Sequence, residues 1–324
     1  MRKVIFDCDI GCDDALALIA LLKDENTEIL GITAVRGNLN VDDVCQNALK
    51  VCDLVGKDVP VYKGCSSAMV RTLIKGRDYN TLMERIHMEV DGKEILIHEQ
   101  SFALPKSKRK IEEKHAVSFI VDTLRNTNEK IDLVGVGPLT NIAMAIRLDP
   151  SIVNNIGTIY IMGGGLYIGN RTPVAEANFY DDPEAAEIVL TSGAHCLVCP
   201  IEPCEMGGTY GPKQLKEIED VNNDISKFLR PMLQGYIDRC NMLFNCDIDN
   251  CCAYDYVAVA PIIDESVITE KRKDIVHVDI SGGMSDGQMV IDRRGMIKDI
   301  YNVEVIYKVD SDKLHKLFIK QISK

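Results

Sequence analysis

Four aspartates fall within eight residues near the start of the chain, in Asp7-Cys8-Asp9-Ile10-Gly11-Cys12-Asp13-Asp14. A short apolar run, Val4-Ile5-Phe6, leads into them, and an apolar helical pattern from Ala15 to Leu22 follows at once. Carboxylates this close repel one another strongly unless something positive sits among them. Asp7 and Asp9 share a side if the segment is extended, because side chains alternate with a period of two. Asp13 and Asp14 fall at a helix start, where unpaired backbone N–H groups favour negative charge. All-oxygen donors at a strand-to-helix turn suit a hard cation, Ca²⁺ or Mg²⁺. The plainer alternative, one acid capping the helix and three solvated, leaves the repulsion without an answer.

The elements that must position these acids alternate along the chain. Apolar runs at 3–7, 29–34, 131–136, 157–162, 195–199 and 275–280 read as strands. Helical patterns lie between them at 14–23, 41–54, 115–125, 140–147, 183–191 and 213–236. Such alternation predicts an α/β fold: an open, mainly parallel, Rossmann-like sheet with helices on both faces. Ligands in these sheets collect beyond the carboxyl ends of the strands. Asp7 and Asp9, Gly37-Asn38, Gly137 to Asn141 and Met162-Gly163-Gly164-Gly165 all follow predicted strands. Residues 66–112 break the rhythm with dense charge and a hairpin-like piece at 89–98 around Asp91-Gly92. The expectation is one domain over 1–324, with 66–112 an insertion or lid.

Bulk properties narrow the partners. The 324 residues carry a formal charge of −12, which disfavours nucleic acid or an anionic membrane as partner. Arg2 and Lys3 precede only three apolar residues before Asp7, too few for a secretory core, and no apolar stretch is long enough to span a bilayer. Twelve cysteines without such a leader point to reduced thiols and a cytoplasmic setting. Cys196 and Cys199, three apart on a predicted strand, face opposite ways and do not suggest a shared zinc.

Several motifs recur in a familiar order: Asp-x-Asp-x-Gly-x-Asp-Asp-Ala from Asp7, Gly37-Asn38, Gly137-Pro138-Leu139-Thr140-Asn141, Met162 to Gly165, Gly169-Asn170, Ala175-Glu176-Ala177-Asn178 and Asp182-Pro183-Glu184-Ala185-Ala186. From about residue 3 to 265 the chain resembles the inosine–uridine-preferring nucleoside hydrolases, calcium-dependent N-ribohydrolases. The resemblance implies hydrolysis of the N-glycosidic bond of ribonucleosides by a Ca²⁺-bound water, as part of purine and pyrimidine salvage. It puts Asp9, Asp14, the backbone carbonyl of Thr140 and Asp255 on the metal, with Asp9 also the general base. Asn38 would orient water and sugar, and Asp13, Met162, Asn170, Glu176 and Asn178 would hold the ribose. A homodimer or homotetramer is implied as well. Taken singly, Thr140, Asn141 and Asp255 could cap helices, and Asn170 and Asn178 could serve turns.

The chain departs from the family where the base must leave. A Tyr, Tyr254, stands where many relatives place a His before the late Asp, and there is no Trp to stack on a purine. A histidine-glycine motif is also missing; His87 and His98 do not reproduce it. Tyr254 could donate the proton, although an ordinary phenol is a weak acid at neutral pH. Cys12 could line the base pocket, as could Tyr236 and Cys240, four apart on one helical face. The chain could also bind nucleosides with slow turnover. A different enzyme class also begins with a strand and Asp-x-Asp: a haloacid-dehalogenase-type phosphatase would use Asp7 as nucleophile, Asp9 as acid–base and Mg²⁺.

Overall fold

The computed structural model describes residues 1–74, 77, 87–90, 93–297 and 303–324. In chain order the strands are β1 (Arg2–Cys8), β2 (Thr27–Ala34), β3 (Val61–Lys63), β4 (His87–Val90), β5 (Lys93–Leu96), β6 (Ile131–Gly135), β7 (Ile156–Met162), β8 (His195–Cys199), β9 (Thr209–Tyr210), β10 (Cys251–Cys252), β11 (Ile268–Asp274), β12 (Val276–Val278), β13 (Met289–Ile291) and β14 (Val303–Val309). The helices are α1 (Cys12–Leu22), α2 (Val41–Val55), α3 (Ala116–Arg125), α4 (Thr140–Leu148), α5 (Ala177–Asp181), α6 (Pro183–Leu190), α7 (Ile201–Gly207), α8 (Pro212–Val221), α9 (Asp224–Phe244), α10 (Tyr254–Ile263) and α11 (Ser311–Ile322).

Eight strands make the central sheet, in the order β11-β14-β8-β7-β6-β1-β2-β3. All neighbours run parallel except the edge pair β11 and β14. This is the mainly parallel α/β architecture the sequence pattern predicts. β1 is buried continuously from Val4 to Cys8, as a central strand covered on both faces must be. Val4 and Phe6 pack into the core under α1, α2 and α10, while Ile5 joins the core under α3, α4 and α6. From β1 the chain builds outward through β2 and β3, then returns to build the other way from β6. The crevice beyond the carboxyl ends of β1 and β6 is therefore the topological switch point, where such sheets bind ligands.

Two expectations need correction. The predicted strand at 275–280 lies outside the central sheet: Val276–Val278 pairs with β13 in a separate ribbon. The outer positions belong to β14 and β11, and β11 (Ile-Thr-Glu-Lys-Arg-Lys-Asp) is a largely exposed, charged edge strand that no search for apolar runs would find. The helical stretch 213–236 is two helices, parted where Asn222 takes a left-handed conformation (φ 51°) and Asn223 caps α9 by accepting from the Ser226 N–H. The hairpin at 89–98 exists as antiparallel β4 and β5, while its turn at Asp91-Gly92 lies outside the described residues. Among the described residues no helix is long and apolar enough to cross a membrane.

Asn141 ties the switch point together. Its Nδ2 donates to Asp7 Oδ2 at 2.8 Å and to the Ala34 carbonyl at 3.0 Å, and its Oδ1 accepts from the Cys65 N–H at 2.8 Å. One fully buried amide thus joins β1, β2 and the chain beyond β3. Asn141→Ala takes a partner from each of these three groups, Asp7 Oδ2 keeping only the Thr33 hydroxyl, and should cost about 3 kcal/mol in urea unfolding. A loss below about 1 kcal/mol would show that Asn141 is not what holds these strand ends.

Candidate active site

β1 delivers Asp9 through a tight loop into α1. Ile10, between the acids, sits at φ 28°, a left-handed conformation that a β-branched residue adopts only under strain, and it is fully buried. The Asp14 carboxylate reaches back to accept the Gly11 N–H at 2.6 Å, closing the loop. Asp9 accepts at both oxygens from Asn38: the backbone N–H to Oδ2 at 2.6 Å and Nδ2 to Oδ1 at 3.3 Å. Glycines make room for this carboxylate. A Cβ on Gly37 would fall 2.0 Å from Asp9 Oδ2, and one on Gly137 would fall 3.1 Å from Asp9 Cγ.

Asp13 and Asp14 are joined by Asp255, which α10 brings from far along the chain. These three carboxylates present oxygens within 4.8 Å of one another. Asp9 lies beside this trio rather than in it. Burial, then the charge of Asp14, holds the Asp9 carboxyl well above its usual range. Burial, then the charges of Asp13, Asp14 and Asp9, does the same to Asp255. Burial pushes Asp13 up to about 6, and burial with the charge of Asp13 pushes Asp14 up to about 8. Asp13 Oδ1 and Asp14 Oδ1 are buried and take no hydrogen bond. Orphaned carboxylate oxygens facing a third acid are costly, and they fit a hard divalent cation.

Above the acids lies a cavity of about 220 Å³, lined in part by Asp13, Asn38, Val136, Met162 and Asp255. Its volume suits one small molecule rather than a polymer. One wall holds Asn170, Glu176 and Asn178. Each has local hydrogen-bonding work, as the plainer reading foresees for Asn170 and Asn178, and still lines the cavity. Glu176 caps α5, accepting N–H groups of Asn178 at 2.8 Å and Phe179 at 3.2 Å, plus that of Gly164 at 2.9 Å. Burial pushes its carboxyl up to about 7. Asn170 Oδ1 accepts from the Ala177 N–H at 2.9 Å, which leaves its NH₂ for a ligand. Asn178 Nδ2 donates to the carbonyls of Val136 and Met162, at 3.3 and 3.1 Å, which leaves its Oδ1.

The cavity is also lined by Ile97, His98, Tyr236, Cys240, Phe244 and Tyr254, with the rings of His98 and Tyr236 5.3 Å apart. His98, set aside in the sequence, belongs to the site. Its Nδ1 accepts the Cys12 N–H at 3.2 Å, so the proton of the neutral ring sits on Nε2. Burial, with the cations Arg239 and Arg171, pushes its pKa down to about 3, so the ring stays neutral. Arg239 on α9 secures this segment, donating to the Ile97 carbonyl at 2.9 Å and to Glu99 Oε1 at 3.1 Å. From α2, Asn47 and Lys50 hold residues 100–102. Cys12 lies beneath the cavity rather than in its wall: it is buried, and its Sγ faces Arg239 Nη2 at 3.9 Å. Thr140 is also absent from the wall; its hydroxyl donates to Asp182 Oδ2 at 2.6 Å. A larger cleft of about 990 Å³ shares Asn38, but its charges are mixed and neutralised locally, as by Lys63 and Asp42 at 2.6 Å.

Comparison with known proteins shows the family. The model of the family "Inosine-uridine preferring nucleoside hydrolase" matches residues 4–316. The chain belongs to this family. It is 33% identical over 326 residues to an inosine-uridine preferring nucleoside hydrolase of Leishmania major, covering 100% of this chain and 98% of that protein. It is 33% identical over 318 residues to a pyrimidine-specific ribonucleoside hydrolase of Escherichia coli (strain SE11), covering 96% and 94%. The structure of a purine-preferring ribonucleoside hydrolase from Gardnerella vaginalis superposes with a TM-score of 0.86 at 30% identity, over 99% of this chain and 98% of that one. The protein is thus a nucleoside hydrolase, an enzyme that breaks the N-glycosidic bond of ribonucleosides.

The phosphatase alternative fails on geometry as well as on kinship. Its nucleophile would be Asp7, yet Asp7 is 1% exposed and its Oδ2 is occupied by the Thr33 hydroxyl at 2.5 Å and by Asn141. In the hydrolase Asp7 is a buried brace between strands. The sequence missed His98 because the pattern sought was His-Gly, whereas Glu99 follows here. Gly37→Ala should displace the Asp9 carboxylate and lower ribose release by about a hundredfold, with the far-UV circular dichroism unchanged. Undiminished turnover would mean that Asp9 does not need its present position.

Proposed function

We propose that the hydrolase is a calcium-dependent N-ribohydrolase in which Asp9 is the general base. The observation that carries this is the meeting of Asp13, Asp14 and Asp255, with orphaned buried oxygens, beside an Asp9 held at both oxygens by Asn38. We assign Asp14 and Asp255 to the ion, with Asp9 at its edge. The backbone ligand is better placed at Val136 than at Thr140. Thr140 opens α4, so its carbonyl points along the helix, whereas Val136 follows β6 directly and lines the cavity. Bound there, Ca²⁺ would make a neighbouring water a stronger acid.

The chain's own groups do the rest. Asn38 fixes the Asp9 carboxylate so that a free lone pair can take the proton of the attacking water. The sugar passes through an oxocarbenium-like state, which the surrounding carboxylates favour by their charge. Asp13, the least buried of the cluster, accepts ribose hydroxyls, opposite the NH₂ of Asn170 and the Oδ1 of Asn178, with Glu176 and Met162 completing the contact. A deoxyribose would leave one of these groups unpaired and bind worse. The base lies against Tyr236, Cys240 and the half-exposed Phe244, and the Nε2–H of His98 is a donor for it. We take the active form to be a cytoplasmic homodimer or homotetramer; sedimentation as a 36.0 kDa species would oppose that.

Ribose release from a nucleoside panel, with and without chelator, tests the reaction. Asp9→Ala should lower it by about a thousandfold or more. Release that persists in chelator would remove calcium from the scheme. Melting curves test the ion. Asp13 and Asp14, pushed up to about 6 and about 8, bind protons in the ion-free fold that the unfolded chain has already lost. Ion-free stability therefore falls as pH rises from about 4 to about 8, and Ca²⁺ replaces those protons. A hundredfold excess over Kd should raise Tm by about 5 °C at pH 8, and by less at pH 5.5. Asp14→Ala and Asp255→Ala should shrink that rise. An equal rise in all three proteins would argue for a different ion site.

A further inference from the structure

Tyr254 is gripped at both ends by α7. Its carbonyl accepts from the Cys204 thiol at 3.5 Å, and its hydroxyl donates to Glu205 Oε1 at 3.4 Å. The neighbouring Ala253 N–H donates to the Gly208 carbonyl at 2.9 Å, which fixes the two helices in register. Glu205 lies on the exposed side of α7, whereas Tyr254 lines the cavity. An ionised carboxylate can only accept, so the phenolic hydrogen is turned outward, toward Glu205. A phenol has one hydrogen to give. What its oxygen still offers the cavity is a lone pair.

We propose that Tyr254 is a hydrogen-bond acceptor that reads an N–H or amino group on the nucleobase, and that Glu205 is the positioning residue that keeps it one. This rests on the nucleoside reading above and deepens it by naming what the base must carry. It also replaces the proton-donor role that the place of Tyr254 beside Asp255 suggests. Tyr236 packs its ring 5.3 Å from that of His98 and has Tyr254 among its neighbours, so Tyr254 stands with His98 and Tyr236, the group assigned above to the base. There His98 gives a hydrogen and Tyr254 receives one. Bases with a ring N–H or an exocyclic amine satisfy both, whereas unsubstituted purine can satisfy only His98.

The experiment compares inosine with purine riboside, whose base has no N–H. Wild type should favour inosine by about tenfold in kcat/KM, the worth of one hydrogen bond, mainly through KM. Tyr254→Phe should bring the ratio near one while inosine kcat is kept. Glu205→Gln, whose amide oxygen can still accept, should preserve the preference. Glu205→Met frees the hydroxyl to turn inward and should erase it. Differences in bond lability between the substrates cancel when variants are compared. A ratio unmoved by Tyr254→Phe overturns the proposal, as does a fall in inosine kcat at constant KM, which would mark Tyr254 as the acid. If Tyr254→Phe does not fold, the two Glu205 variants decide, since that side chain is exposed. Absence of ribose from every nucleoside with wild type and Ca²⁺ would instead remove the nucleoside reading itself.

Discussion

Mutual repulsion among buried carboxylates is the constraint around which this molecule is organised. Asp13, Asp14 and Asp255 meet, with Asp9 beside them, just beyond the buried end of β1, where water screens them poorly. A fold does not keep such a cluster by chance. It is kept in place by neutral donors: the Gly11 N–H on Asp14, and the two N–H groups of Asn38 on Asp9. Neutral donors fix the carboxylates without discharging them. The positive charge the cluster lacks is left for a ligand to bring.

The rim of the sheet supplies this scaffold because its loops come from several strands at one crevice. Gly37 and Gly137 let two of those loops press against Asp9, where any side chain would collide with it or crowd it. Asn141 secures the strand ends beneath, through Asp7. The wall that carries His98 has another construction. Residues 97–102 are held there by side chains of α2 and α9, so an element outside the sheet completes a cavity that the sheet begins.

Much of this was legible in the sequence, for definable reasons. The central strands are near-continuous apolar runs, and the acids stand at their ends with glycines and amides at fixed offsets, so both the sheet and its rim could be read. β11 was not legible, because a charged edge strand lacks the apolar pattern that marks a strand. Nor was the break between α8 and α9, which depends on Asn222 adopting a left-handed turn inside an otherwise helical stretch. His98 escaped because its place is set by Arg239 and Glu99, partners 140 residues apart whose meeting no local motif announces. Thr140 differs in the opposite way. The motif that contains it is present, but its side chain turns to Asp182, while Val136, just before that motif, lines the cavity.

The two margins of the sheet differ from its centre in a way that bears on how copies can meet. At one end β3 spans only three residues. At the other, β11 carries Lys271, Arg272 and Lys273 in succession on a strand paired on one side alone. A short border and a cationic border are both poor templates for backbone pairing with a neighbour. Ribbon-like growth through the central sheet is thereby discouraged.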